Sequence, residues 1–180
     1  MSTKIIIPES WSEVTLRKFQ EVAQVDIENE RLRAIEIISI MADCDPDLLK
    51  NTDLQSLNLV LDKLEWTKIP PSDEYKTEIT IKGIVYNLVN LRSLSNGEWI
   101  DLDGFCEKHI DNIHKIMAVL YRPVGEEYNS KSSEERASLF LDEVKISDVF
   151  GTMLFFSLIG IKYMTHIETY LQEDLNQRRK

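Results

Sequence analysis

The chain has 180 residues, of which 43% are hydrophobic and 29% are charged, so it carries enough apolar material to bury one sizeable core. Its formal net charge of −10 opposes non-specific binding to nucleic acid, which needs clustered Lys and Arg side chains. The longest uncharged stretch, residues 149–161, is shorter than the roughly 20 residues that cross a bilayer, so we expect neither a nucleic-acid nor a membrane partner.

The first part of the chain is predicted to be a short strand followed by a cluster of helices. Residues 4–7, Lys4 and three isoleucines, are predicted to form the strand, which stops at Pro8 because proline has no N–H to donate to a ladder. Thr15 is predicted to cap a helix that reaches about residue 25, and residues 27–41 carry a broad apolar helical face. Caps typical of two further helix starts follow, at Asp45-Pro46 and Thr52-Asp53.

A proline-rich loop, residues 66–75, is the best candidate boundary inside the chain. We predict a single domain over residues 1–180, with possible related halves at 1–68 and 76–180. Residues 76–90 alternate around Lys82-Gly83, which indicates a β-hairpin. Because an isolated hairpin is marginal in water, it should pair with the N-terminal strand, pair with another subunit, or lie on the helices.

The second part of the chain is predicted to be mostly helical. Ser95 and Glu98 form a capping-box pattern that opens a long helix ending near Arg122-Pro123. The remaining elements are a polar surface loop over residues 124–133, a short helix capped near Ser132 that reaches about residue 141, and a last helix from Ser147 or Asp148 to roughly Asn176. The sequence thus predicts an α+β, mainly helical fold with a small antiparallel β-sheet, made of the N-terminal strand and the hairpin, and a long C-terminal helix.

One motif occurs twice: a β-rich segment, a short loop, a Ser or Thr cap, and a helix that opens around an aromatic residue. The copies span residues 5–22 and 84–102. Trp11 and Trp99 occupy comparable places near the two helix starts. They either staple each helix to its strand or anchor a partner segment.

Residues 149–164 are apolar nearly all round a helix, which predicts either the central helix of the core or a helix covered by another subunit. Gly151 and Gly160 flank its aromatic residues and would let another backbone, from this chain or a neighbour, pack closely. The candidate interface residues are Trp11, Trp99, Phe155 and Phe156.

The sequence offers no catalytic, cofactor-binding or metal-ligating set. His109 and His114 stand five residues apart, about 140° around a helix, which does not suit one metal ion. Cys44 and Cys106 lack partners at zinc-site spacing and are expected to be buried thiols of a reducing compartment. No phosphate loop or nucleophile elbow is present. We therefore expect no enzyme activity, no cofactor and no small-molecule substrate.

Four stretches carry a family resemblance: residues 7–16, 19–20, 86–102 and 113–123. They resemble small proteins in structural modules of tailed bacteriophages, in particular phages of gut Bacteroidetes, including crAss-like phages. The resemblance implies a virion structural protein of a neck or tail ring, assembled in the host cytoplasm, with other phage structural proteins as partners and a homo-oligomer in the assembly. A tail assembly chaperone, absent from the mature virion, is the alternative, and a small host-binding regulatory module is a third.

Overall fold

The computed structural model of the protein describes residues 5–157. In chain order its elements are α1 (Leu16–Ala23), α2 (Glu30–Ala42), α3 (Pro46–Lys50), α4 (Leu54–Asp62), β1 (Glu78–Ile81), β2 (Ile84–Leu88), α5 (Asn96–Cys106), α6 (Ile113–Leu120), β3 (Tyr121–Pro123), α7 (Ser130–Glu143) and α8, described over residues 146–157. The predicted fold class is confirmed, because the chain is mainly helical with one small antiparallel sheet.

The sheet has the order β1-β2-β3, and both strand pairs are antiparallel. The predicted hairpin is β1 and β2, joined at Lys82 and Gly83. Both turn residues have positive φ, 50° and 80°, as a two-residue hairpin turn requires. Ile79 and Ile81 of β1 point into the core, and the strand's other side chains face solvent.

The third strand corrects the prediction. Lys4 lies outside the described residues, and residues 5–7 join no sheet; β3 occupies the place beside β2 instead. This strand follows directly from α6 and brings the ring of Tyr121 to 0% exposure. Its hydroxyl donates a hydrogen bond to the Lys76 carbonyl at 2.6 Å. Residues 5–7 are isoleucines and have no polar side chain that could make this contact.

Local capping fixes most helix starts in the first part of the chain. The side chain of Thr15 accepts the Lys18 N–H at the start of α1, and those of Asp45 and Asp53 do the same for the early N–H groups of α3 and α4, as predicted. The second helix begins later than residue 27, because Asn29 caps it.

The long helix predicted from Ser95 to Arg122 is two helices. Residues 107–112 form a turn between α5 and α6, and the side-chain amide of Asn112 donates to the Phe105 carbonyl at 3.1 Å. The side-chain amide of Gln20 in α1 donates to the Asp111 carbonyl. After the break, α6 packs along α7.

The last helices follow the prediction with shifted starts. Asn129 caps α7, so the polar loop is shorter than residues 124–133. Helix α8 begins at residue 146, close to the predicted start. Its predicted continuation to Asn176 lies outside the described residues. Among residues 5–157, no helix is long and apolar enough to span a membrane.

Two hydrophobic clusters share the interior. The larger one joins the sheet to α1 and α5–α8, and the smaller one lies among α2, α3 and α4. Trp66 packs against both. Val14 and Leu16, from the first predicted half, are fully buried in the larger cluster with the second. The division into related halves at 1–68 and 76–180 stays a prediction.

A short backbone bridge ties the starts of α1 and α8 together. The Leu16 N–H donates to the Val144 carbonyl at 2.9 Å, and the Ile146 N–H donates to the Val14 carbonyl at 2.9 Å. The four side chains are at most 2% exposed. This reciprocal pair fixes the point at which α8 enters the core.

Candidate interaction surface

Helix α8 has one face in the core and another in solvent. Val149, Thr152 and Phe156 are at most 5% exposed, whereas Leu154 and Phe155 are 37% and 38% exposed. In its described part, one side of this apolar helix fills the core, as the first interpretation expects, and cover of the exposed side by another subunit stays a prediction.

A strap, residues 73–76, crosses α8 at Gly151. A Cβ atom at this glycine would lie 2.6 Å from the Asp73 carbonyl oxygen and closer still to the carbonyl group of Glu74. Only a residue without a side chain fits there. The prediction that Gly151 admits another backbone is confirmed, and the backbone belongs to this chain; Gly160 lies outside the described residues.

Polar contacts fasten the strap on either side of that crossing. The Lys76 ammonium lies 2.6 Å from the Asp148 carboxylate of α8. The buried hydroxyl of Tyr121 donates to the Lys76 carbonyl of the strap and lies 2.7 Å from the Thr152 hydroxyl of α8. Burial raises the pKa of the Tyr121 phenol, so this hydroxyl keeps its proton for the contact.

The strap carries Tyr75 onto Phe155. The two rings stack with their centroids 5.2 Å apart and an angle of 17° between planes, yet Tyr75 is 48% exposed. Together with Leu154 they form the α8 patch. Aromatic side chains held in place lose little further entropy when a partner covers them, which is why such residues anchor interfaces. The patch is therefore the candidate interaction surface.

The other candidate interface residues lie elsewhere. Phe156 is 5% exposed in the larger core and is not available at the surface. The indole N–H of Trp11 donates to the Ile69 carbonyl at 2.7 Å, and its ring meets the edge of Trp66 with centroids 4.9 Å apart. Trp11 thus ties its helix start to the Glu65–Lys68 turn and not to a strand. Trp99 is half-buried on α5.

Sequence reasoning missed Tyr75. The only signal was one aromatic residue in an otherwise polar loop after two prolines. Its place on Phe155, 80 residues further along the chain, depends on the backbone crossing at Gly151.

A groove of about 540 Å³ lies between α7 and the helices α1, α5 and α6. Two of its cations have partners: Arg17 contacts Asp142 at 2.6 Å, and the Lys115 ammonium lies 5.5 Å from the ring centre of Phe105. His114 lines it as well. In residues 5–157, no three His, Cys, Asp or Glu side chains converge in a way that would hold a metal ion.

The histidines differ in environment. His109 is exposed in the turn after α5, whereas the Nδ1 atom of His114 lies 3.0 Å from the side-chain oxygen of Gln20. Burial, together with the nearby positive charges of Lys115 and Arg17, lowers the pKa of His114 to about 4. The folded protein therefore holds this imidazole neutral.

This neutral histidine predicts a pH dependence of stability. In the unfolded chain His114 has a pKa near 6.5, whereas in the folded protein it stays neutral down to about pH 4. Protonation below pH 6.5 therefore favours the unfolded chain, so the stability contributed by this group is complete above pH 6.5 and falls as the pH drops toward 4. Thermal unfolding between pH 7 and pH 5 should show a falling Tm. His114→Gln should flatten this slope, whereas His109→Gln should leave it unchanged; equal slopes in all three proteins would contradict the assignment.

The cysteines are free thiols. Cys44 is half-buried, but Cys106 is exposed at the end of α5, which corrects the expectation that both are buried. The helix ends there rather than continuing, so the position predicted to lie on an internal face lies at a helix terminus.

The described residues thus form a mainly helical α+β fold with a small three-stranded sheet and an exposed aromatic patch at the last described helix. Comparison with known proteins finds no matching family model, no similar curated protein and no similar solved structure.

Proposed function

We propose that this chain is a non-enzymatic structural subunit of a bacteriophage neck or tail assembly, which acts through contacts with other phage structural proteins. The observation that carries the proposal is the α8 patch. It presents an aromatic pair and a leucine on a helix whose opposite face is fixed in the core. A surface of this kind suits repeated protein–protein contact.

The fixed geometry of the patch supports a permanent contact more than a transient one. The crossing at Gly151 and the contact between Lys76 and Asp148 hold the strap, so a partner would meet a preformed surface and order few side chains. The resemblance of residues 7–16, 19–20, 86–102 and 113–123 to phage structural modules supports the same assignment. Assembly in the host cytoplasm and retention in the virion complete the proposal.

Quantitative mass spectrometry of purified particles, set against a lysate of infected cells, tests this function. A structural subunit is expected in multiple copies per particle. A tail assembly chaperone would be found in the lysate alone, and a regulatory module would be found in complex with a host protein; either result would overturn the proposal.

A variant of the patch sharpens the experiment. Phe155→Asp should fold, because the side chain is partly exposed, but a charge in the patch should lower its copy number in particles by at least about tenfold. Ile100→Asp is the matched control, since Ile100 is a 70% exposed apolar residue on another helix. Phe156→Asp should fail to fold, because it places a charge in the core. Normal incorporation of Phe155→Asp would argue against the patch.

A further inference from the structure

The outer edge of β1 is an open hydrogen-bonding edge. The Leu88 N–H donates to the Thr77 carbonyl at 2.8 Å, and hydrogen-bonded positions alternate along an antiparallel pair. Ile79 and Ile81 therefore direct their backbone groups at β2, and Glu78 and Thr80 direct theirs away from it. Within residues 5–157, the sheet ends at β1 on this side.

The sequence of this edge is complementary to itself. In an antiparallel pairing of two copies centred on Thr80, Glu78 of each copy stands opposite Lys82 of the other, the turn residue that directly follows β1. Ile79 stands opposite Ile81 on the core side, and Thr80 stands opposite its own counterpart. Opposite charges, paired aliphatic residues and paired threonines are favourable cross-strand neighbours.

We propose that a second copy of this chain pairs with β1 along this edge, antiparallel and centred on Thr80. The N–H and C=O groups of the two Thr80 residues exchange hydrogen bonds, and the two sheets become one sheet of six strands around a twofold axis. Such a contact is isologous, with the same surface contributed by both copies. It rests on the sheet edge alone and holds whether or not the chain is a virion component.

Charge and strand length select this register over its neighbours. A centre at Ile81 would leave Ile81 as the only strand residue paired with a strand residue of the other copy, because β1 ends there. Moving the centre to Ile79 sets Lys76 opposite Lys82, and moving it to Glu78 sets that carboxylate opposite its own copy. Like charges directly opposite one another destabilise a strand pair. Lys82 also lies 2.9 Å from Glu143, but it is 61% exposed in that contact, and surface ion pairs of this kind yield readily to a new partner.

A proline variant tests the backbone part of the contact. Thr80→Pro removes an N–H that points away from β2, so the hairpin keeps its own ladder while the edge loses a donor. Sedimentation equilibrium up to about 1 mM protein, where even a short edge contact is populated, should show a dimer that Thr80→Pro weakens at least about tenfold. Thr80→Val, which keeps the N–H, should dimerise like the natural chain, and unchanged thermal unfolding should confirm that all three are folded.

A charge exchange tests the register. Glu78→Lys should weaken the dimer about tenfold, because two attractive pairs become repulsive, and the double variant Glu78→Lys/Lys82→Glu should restore it to within about threefold. A strict monomer throughout the concentration range, or a dimer indifferent to Thr80→Pro and to the exchange, would overturn the proposal. Phe155→Asp should leave this dimer intact, which separates the edge from the α8 patch.

Discussion

Gly151→Ala is expected to destabilise the protein by roughly 2 kcal/mol, although alanine favours a helix over glycine by about 1 kcal/mol. The new methyl group would stand 2.6 Å from the Asp73 carbonyl oxygen and would press on the backbone of Glu74. Backbone atoms cannot swing aside as a flexible side chain can. The strap would have to lift, which would strain the contacts of Lys76 and Tyr121 that fasten it. Chemical denaturation measures the effect.

Gly104→Ala provides the matched control. Gly104 also lies inside a helix, α5, but a Cβ atom there would meet nothing within 4 Å. This variant should be stabilised by about 0.5–1 kcal/mol, since only the helix propensity changes. The two substitutions are chemically identical, so the difference in sign isolates the crossing of the strap. Equal effects at the two glycines would show that the strap does not press on α8.

Local sequence signals predicted the parts of the fold that depend on local contacts. Asp45 before Pro46 marked a helix start. Its side chain accepts the N–H of Asp47, only two residues away, so the cap does not depend on the rest of the chain. The capping box of Ser95 and Glu98 forms as predicted. Lys82-Gly83 set the hairpin turn for the same reason, since the turn conformation is decided within four residues.

Long-range contacts decided the parts that the sequence did not predict. The third strand is β3 because Tyr121 reaches Lys76 and Thr152, residues that only the completed fold brings together. The break after α5 depends in part on Gln20, which contacts the turn from α1. Neither contact leaves a trace in the local hydrophobic pattern.

One repeated pattern could have revealed the bridge between the first and last helices. Residues 13–16 and 143–146 both read as glutamate, valine, a polar residue and an aliphatic residue, and each copy starts a helix. The two copies of the repeated motif, residues 5–22 and 84–102, both contain a short 3-10 turn, a cap and a helix, but only the second copy has a strand.

The candidate surface was predicted in part. The pattern indicated Phe155, but it did not indicate which side of the helix stays exposed.

Glu98→Ala is expected to lower the free energy of unfolding by about 3–5 kcal/mol. The Glu98 carboxylate is buried and contacts the Arg122 guanidinium at 2.6 Å, while it also accepts the Ser95 N–H at 2.6 Å in the capping box. The Arg122 side chain is 13% exposed, and its Nε atom already lacks a hydrogen-bond partner. Removing the carboxylate would leave a largely buried cation with little besides the ring of Tyr128, 5.8 Å away.

Two further variants separate the unpaired charge from the lost cap. Arg122→Met in the Glu98→Ala background should recover part of the stability, because it removes the stranded cation, whereas a loss that came only from the capping box would persist in the double variant. Asp103→Ala, an exposed carboxylate on the same helix, should change the free energy by less than about 0.5 kcal/mol. If Glu98→Ala were as mild as Asp103→Ala, the Arg122 cation would have to be hydrated in the folded protein. The pair would then contribute little to holding β3 against α5.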